Sequence, residues 1–577
     1  MKKEITYLLG AILSCTISLS GTAQIGQGGT PYSFNHNLTF DDQSAEVNIA
    51  KPDMAAVIAE DALYTDKNDL YRVGKNIAVN LTPVNSGEWI TSPNGEKIWK
   101  LTVKSEGALA LGFYYNAFEI PEGGEVFIYN ETKTHVIGAF THNNAEKNIG
   151  STQMIEGDEV TIEYHANKEV TTLPQIDIFE VVYFYRGVED FITPFDKDAT
   201  FQEKADNCQV DILCAPERNG NENQINSVIH YTFSQGGGTY VCSAAMLNNT
   251  AEDFTPYVLT AWHCGEPNAG TSLSGWVWYW KYQKNSCSPG AANASDPGKG
   301  NKTMAGGTVR ASSGSGTLNN PPGNNQLAGS DFYLVELQTT PPNSYDAFYA
   351  GWDRTNNAGT DGVGIHHPSG SAKKISTYTQ TLLSSTYNGG ASNAHWSVRW
   401  AATTNGHGVT EGGSSGSPIF NEAGRVVGQL SGGSSFCTNT SARDLYGKMY
   451  TNWDLCGSTD GAQLEPWLDP SGTGATGIDG IYKPGTSAAI KENELNDNIT
   501  VYPNPSNGTF NLMVSLETKE NVTIEVLNSI GQSLSVTKFE KVDELNLDYD
   551  LTNYSKGIYF IKVSNNAEFS LRKIIIE

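Results

Sequence analysis

A glycine-rich serine loop, Gly412-Gly413-Ser414-Ser415-Gly416-Ser417-Pro418, is the segment of this 577-residue sequence best suited to covalent chemistry. A nucleophilic serine needs an exposed Oγ. It also needs neighbouring backbone N–H groups aimed at the oxyanion that forms, and small neighbours permit that backbone. Taken alone, the loop reads equally well as a linker. Two further segments supply partners. Tyr257-Val258-Leu259-Thr260-Ala261-Trp262-His263-Cys264 reads as a buried strand running into a histidine. Gly329-Ser330-Asp331-Phe332-Tyr333-Leu334-Val335 sets an aspartate at the head of an apolar strand. A histidine can take the serine's proton, and a buried acid can orient that histidine. His263, Asp331 and Ser415, in that order, are the candidate catalytic set.

The elements that must position these residues are short strands. Residues 86–185 alternate apolar and polar, as in Trp99-Leu101-Val103 and Val126-Ile128, with turns such as Pro121-Glu122-Gly123-Gly124 between runs. This pattern predicts an antiparallel β-sandwich. Residues 205–480 are rich in Gly, Ser and Asn and carry strands such as Phe332–Leu337 and Val426–Leu430. A Gly/Thr/Ser linker follows Pro470, and residues 498–577 form a third, small β segment. The predicted class is all-β.

Composition agrees. Charged residues make up 17%, glycine reaches 59 residues, and aromatics make up 10%. That balance excludes a coiled coil, a disordered chain and a multi-span membrane protein. The net charge of −26 supplies no basic face for nucleic acid. The acidity is uneven. Residues 24–204 hold 13 basic and 28 acidic side chains, a net −15, while residues 205–480 carry 13 against 21, a net −8.

Lys2 and Lys3, an apolar run from Tyr7 to about Leu19, and Gly21-Thr22-Ala23 predict a secretory signal cleaved after Ala23. Cys15 leaves with that signal. The other seven cysteines lie between 208 and 456, an odd number in a disulfide-permissive compartment. No Cys-x-x-Cys or His-Glu-x-x-His pattern suggests a metal, and no cofactor is expected.

Five pieces carry a family resemblance. They are Leu259-Thr260-Ala261-Trp262-His263-Cys264-Gly265, Ser330-Asp331-Phe332, and His367-Pro368-Ser369-Gly370 with Lys374-Ile375-Ser376. The last two are Gly413-Ser414-Ser415-Gly416-Ser417-Pro418-Ile419 and Arg443-Asp444-Leu445-Tyr446-Gly447. In this order they resemble the chymotrypsin-like serine peptidases, and most of all the bacterial lysyl endopeptidase branch. The resemblance implies a double β-barrel over about 205–470 acting on protein or peptide substrates, working as a monomer. It implies Ser415 as nucleophile, His263 as base and then acid, Asp331 as orienting acid, and the N–H groups of Gly413 and Ser415 as oxyanion hole. Ser431-Gly432-Gly433 would pair with substrate backbone, and Asp444 would select a cationic side chain. The trypsin-type specificity acid would fall at Val409 and is missing. The branch's tryptophan and histidine beside the triad align with Tyr387 and Ser431, which leaves lysine against arginine open. Implied disulfides are Cys242–Cys264, Cys214–Cys287 and Cys208–Cys437, with Cys456 left as a buried thiol.

In trypsin a new N-terminus pairs with an aspartate at the position of Ser414, so that activation device is excluded here. Residues 24–204 are expected to be a removable pro-region, with self-cleavage after Lys204. A permanent accessory domain is the alternative. Val501-Tyr502-Pro503-Asn504-Pro505-Ser506 with Gly508, Gly557-Ile558-Tyr559 and Lys573-Ile574 resemble the type A C-terminal sorting domain of type IX secretion. That resemblance implies export through periplasm and outer membrane by the type IX secretion machinery, to the cell surface or medium. The expected order is signal 1–23, pro-region 24–204, protease 205–480, linker 481–497 and sorting domain 498–577. The rival readings are an endopeptidase of other specificity and an inactive surface adhesin.

Overall fold

The computed structural model describes residues 26, 28–36, 38–40, 45–63, 69–145, 149–187, 205–284, 287, 302–313, 329–387, 391–486, 499–528, 533–564 and 569–577. The expected signal with Ala23, the expected processing residue Lys204 and most of the expected linker lie outside them. The chain divides into two compact units, Met1–Lys483 and Pro484–Glu577.

Two sheets face each other in the N-terminal part of the first unit. One orders Glu46–Asn48, Lys97–Lys104, Glu159–Ala166, Gly124–Asn130 and Val136–Phe140, with Glu88–Thr91 added on Lys97–Lys104. The other contains Tyr71–Leu81, Gln175–Phe184, Ala110–Glu119 and Ile155–Glu156. The alternating apolar residues read from the sequence point between them, and Trp99, Leu101, Val103, Phe113, Ile128, Ile162 and Val181 share one core. Burial of this kind contributes about 1.5–3 kcal/mol for each large side chain. The second sheet does not end there. Tyr71–Leu81 pairs antiparallel with Gly238–Leu247, so the sandwich shares one sheet with the segment that follows residue 205.

Gly238–Leu247 belongs to a β-barrel with Val228–Gln235, Val277–Tyr279, Thr303–Ala305, Tyr257–Ala261, Phe332–Leu337 and Gly307–Ser312. The end strands Thr303–Ala305 and Gly307–Ser312 are joined through Gly306, which brings the sheet close to closure. Tyr231, Met246, Trp278, Tyr333 and Val335 fill it. A second barrel orders Val210–Asp211, Lys374–Tyr378, Gly362–His366, Pro418–Phe420, Val426–Gly433, Asp444–Lys448, His395–Val398 and Leu383–Ser385. Trp396, Val398, Trp400, Ile419, Leu430 and Tyr446 pack within it. Nearly every residue of these central strands is buried, which explains their continuous apolar runs.

Disulfides join Cys208–Cys437, Cys214–Cys287 and Cys242–Cys264. Cys456 is a buried free thiol. It contacts Ser330 Oγ at 3.0 Å, and burial pushes its pKa up to about 11, which keeps it protonated and unreactive.

The second unit is an antiparallel sheet in which Thr509–Asn528 pairs with Ile499–Tyr502, Ser533–Asp550 and Gly557–Ser564, and Gly557–Ser564 pairs with Phe569–Ile576. Phe510, Leu512, Val526, Ile561, Val563 and Ile574 form its core.

Candidate active site

His263 follows the buried strand Tyr257–Ala261 and is tied down at the next residue by the Cys242–Cys264 bridge. That strand pairs with Phe332–Leu337 with Ala261 opposite Phe332. The register carries Asp331, one residue before Phe332, alongside Trp262 and His263. Trp262 N–H donates to the Asp331 carbonyl at 3.0 Å, and His263 N–H donates to Asp331 Oδ1 at 2.9 Å. His263 Nδ1 lies 2.8 Å from Asp331 Oδ2. A carboxylate at Nδ1 holds the proton there and leaves Nε2 to accept. Burial pulls the His263 pKa down, but the charge and hydrogen bond of Asp331, with Glu266 and Asp69 beyond, outweigh it and leave it raised above that of an ordinary histidine.

Ser415 sits just after a tight turn in which Ser414 N–H donates to the Glu411 carbonyl at 3.0 Å. Gly413 takes φ +87° there, a conformation that favours glycine. Ser243 N–H donates to the Ser415 carbonyl at 2.9 Å, and Gly416 N–H to the Leu430 carbonyl at 2.8 Å. Gly416 packs directly on Thr260 and Ala261, which fixes Ser415 beside the strand that ends at His263. Among the described residues, the N–H groups of Gly413 and Ser415 donate to no other group. Two such N–H groups beside a serine can stabilise an oxyanion. His263 Nε2 is buried without a hydrogen-bond partner, and Ser415 is only 3% exposed.

Ser431-Gly432-Gly433 ends the buried strand Val426–Gly433, where Gly433 lies opposite Asp444. A Cβ at Gly433 would stand 2.2 Å from Asp444 Oδ1, so glycine alone leaves room for that carboxylate. Asp444 is fully buried. Its Oδ1 accepts from Ser435 N–H at 3.1 Å. Its Oδ2 accepts from Ser435 Oγ at 2.5 Å, Trp400 Nε1 at 2.7 Å and Thr410 Oγ1 at 2.8 Å. These donors offset the cost of burying a charge and fix its direction. Thr410, Trp400 and Ser435 carry no local sequence signal, because each arrives from a different segment.

A supporting layer was likewise invisible in sequence. Gln429 donates to the carbonyls of Ser330 at 2.7 Å and Asp331 at 3.2 Å, and Asn452 Nδ2 donates to Gln429 Oε1 at 2.8 Å. His395 Nε2 contacts Ser431 Oγ at 3.1 Å, with the Tyr387 ring 5.5 Å away, so Tyr387 and Ser431 meet through a histidine from another strand. Burial lowers the His395 pKa to about 4, which leaves that ring neutral. Where trypsin has its paired aspartate, Ser414 Oγ meets His366 Nδ1 at 2.8 Å. Glu411, at the head of the serine turn, accepts from Asp206 N–H at 3.0 Å, Gln209 Nε2 at 2.7 Å and Ser369 Oγ at 2.7 Å.

Among the described residues, Asp206, Glu411 and Cys437 come within metal-ligand reach of one another. Cys437 spends its sulfur in a disulfide, so it offers no thiolate to a cation.

Residues 202–447 match the family described as lysyl endopeptidase, C-terminal domain, and residues 500–577 match the secretion system C-terminal sorting domain. A lysyl endopeptidase of Pseudomonas aeruginosa is 28% identical over 397 residues, spanning 65% of this chain and 77% of the relative. Similar solved structures include a thermostable serine protease, AL20, from an extremophilic microorganism. It has 16% identity and a TM-score of 0.26, over 39% of this chain and 93% of that one. Mouse neuropsin, a serine protease, has 14% identity and a TM-score of 0.27, over 42% of this chain and 94% of that one. These two likenesses are too slight to bear on mechanism.

Proposed function

We propose that this chain, a serine endopeptidase whose residues 202–447 form a lysyl endopeptidase C-terminal domain and whose tail is a sorting domain for the cell surface or the medium, cleaves peptide bonds after lysine. Ser415 Oγ attacks the scissile carbonyl while His263 Nε2 takes its proton. Asp331 keeps the other ring nitrogen protonated and stabilises the imidazolium. The Gly413 and Ser415 N–H groups bind the oxyanion. His263 then protonates the leaving amine, and water releases the acyl group by the same steps in reverse. Ser431-Gly432-Gly433 pairs with the acyl side of the substrate as an added strand.

The observation that carries this reading is the His263 Nδ1–Asp331 Oδ2 contact at 2.8 Å, together with the uncommitted N–H groups of Gly413 and Ser415 among the described residues. Lysine preference rests on Asp444, a compact and donor-fixed carboxylate that suits a point-charge ammonium. Export through the type IX machinery, cleavage after Ala23 and after Lys204, removal of residues 24–204 and loss of the sorting domain complete the proposed life history. Ser415→Ala is expected to abolish hydrolysis of a lysyl ester in a purified, folded protein, and retained turnover would refute the nucleophile.

A further inference from the structure

The Ser415 segment is bounded by strands on both sides. Leu430 bonds Gly416 on one side, and Ser243 bonds the Ser415 carbonyl on the other. If the acyl half of a substrate lies along Ser431–Gly433, its leaving half must run out on the Ser243 side. There the edge of Gly238–Leu247 is covered in two parts. Tyr257–Ala261 pairs with Ala245–Leu247, and the N-terminal strand Tyr71–Leu81 pairs with Gly238–Val241. Ser243 falls in the gap between them. Tyr71 lies opposite Val241, which is two strand positions, about 7 Å, from Ser243, the residue that bonds the Ser415 carbonyl.

We propose that Asp69-Leu70-Tyr71-Arg72 occupies the leaving-group half of the cleft, paired to the Gly238–Val241 edge as a bound peptide would be, and so suppresses peptide cleavage by the uncut chain. This rests on the reading of Ser415 as nucleophile and of Ser431–Gly433 as the acyl-side strand.

Side-chain packing makes the occupation specific. The Tyr71 ring covers Gly412, where a Cβ would stand 3.0 Å from it, beside the turn that supplies the Gly413 N–H. The Arg186 guanidinium lies 4.4 Å over that ring, and Arg186 Nε donates to the Arg72 carbonyl at 2.8 Å. Arg72 is held in turn by Glu60 at 2.8 Å and Asp61 at 2.7 Å. Leu70 packs on the core of the first barrel. Val73, Val182 and Phe184 share a buried cluster with Val241, Val277 and Tyr279. The Asp69 charge adds to the field that raises the His263 pKa.

The test uses the full chain carrying Lys204→Gln, confirmed intact by mass, beside the enzyme freed of residues 24–204. Two substrates are compared: a lysyl ester with a small leaving group, and a peptide with three residues after the lysine. The intact chain should cleave the long peptide at least about tenfold more slowly than the freed enzyme, equivalent to about 1.4 kcal/mol. Tyr71→Ala in the intact chain should recover most of that loss. Because Tyr71→Ala could act by loosening the sandwich, Asp69→Asn provides an independent reading. It should lower the pKa of ester hydrolysis in the intact chain. Equal long-peptide rates in the intact chain and the freed enzyme would overturn the proposal. So would an unshifted Asp69→Asn profile. If no form hydrolyses either substrate or reacts with a fluorophosphonate, the nucleophile reading fails instead.

Discussion

Gln429 holds the backbone of Asp331 by donating to its carbonyl and to that of Ser330. Asp331 takes φ +61°, an uncommon conformation for a residue other than glycine. Gly447 makes the approach possible, since a Cβ there would stand 2.2 Å from Gln429 Nε2. Gln429→Ala is expected to lower kcat by about 10–100-fold with KM little changed, because it loosens the orienting acid and leaves the substrate strand alone. Steady-state kinetics on a lysyl ester check this. A change confined to KM would assign Gln429 to binding.

Asp444→Asn keeps the shape of the buried side chain and removes its charge. The preference for lysyl over apolar substrates is expected to drop by about 2–5 kcal/mol, read as a ratio of kcat/KM values. Trp400→Phe removes the 2.7 Å donor to Oδ2 and is expected to weaken lysine selectivity less, by about 1 kcal/mol. An unchanged ratio in Asp444→Asn would reject the carboxylate as the specificity group.

His263 must be neutral to act as base. Its pKa is raised, chiefly by Asp331 against the opposing pull of burial, so kcat/KM should rise with pH through a midpoint above 6.5. Asp331→Asn removes that charge. The midpoint should move down, and the rate should fall by about 10⁴-fold because the ring loses its tautomer. A pH–rate profile of the two proteins decides, and a midpoint that stays put would separate Asp331 from His263.

His230 is fully buried, neither ring nitrogen is bonded among the described residues, and its ring lies 5.1 Å from that of His367. Burial lowers its pKa to about 3, from the 6.5 of an ordinary histidine. The unfolded chain therefore binds a proton that the folded one refuses, and stability falls as pH drops from about 6.5 toward 3. The loss from this group alone reaches about 2 kcal/mol at pH 5. His230→Phe should flatten that slope, so the fall in Tm between pH 7 and pH 5 becomes smaller than in the parent. An equal fall would exclude His230 as a source of acid lability.

Much of the molecule was legible because it is local. Alternation marked the sandwich, and buried runs such as Tyr257–Ala261 marked the barrel strands that carry His263 and Asp331. What stayed hidden is non-local. Residues 24–85 are mixed and poorly periodic, so neither the strand Tyr71–Leu81 nor its partner edge Gly238–Val241, more than 160 positions away, could be read from them. Trp400 and Thr410 reach Asp444 only because separate segments of the second barrel converge, and neither has a motif. His395 replaces nothing at its own position, yet it lands on Ser431 because its strand pairs with Asp444–Lys448.

The single sheet that runs from the sandwich into the first barrel separates two events in time. Hydrolysis of one peptide bond near Ala205 leaves the ladder between Tyr71–Leu81 and Gly238–Leu247 untouched, together with the apolar cluster beneath it. On the proposed processing, the nicked product would be a non-covalent complex whose lifetime is set by strand separation. Latency would outlast the cut, and the delay before activity appears would be a dissociation or digestion rate that temperature, dilution and other proteases could tune.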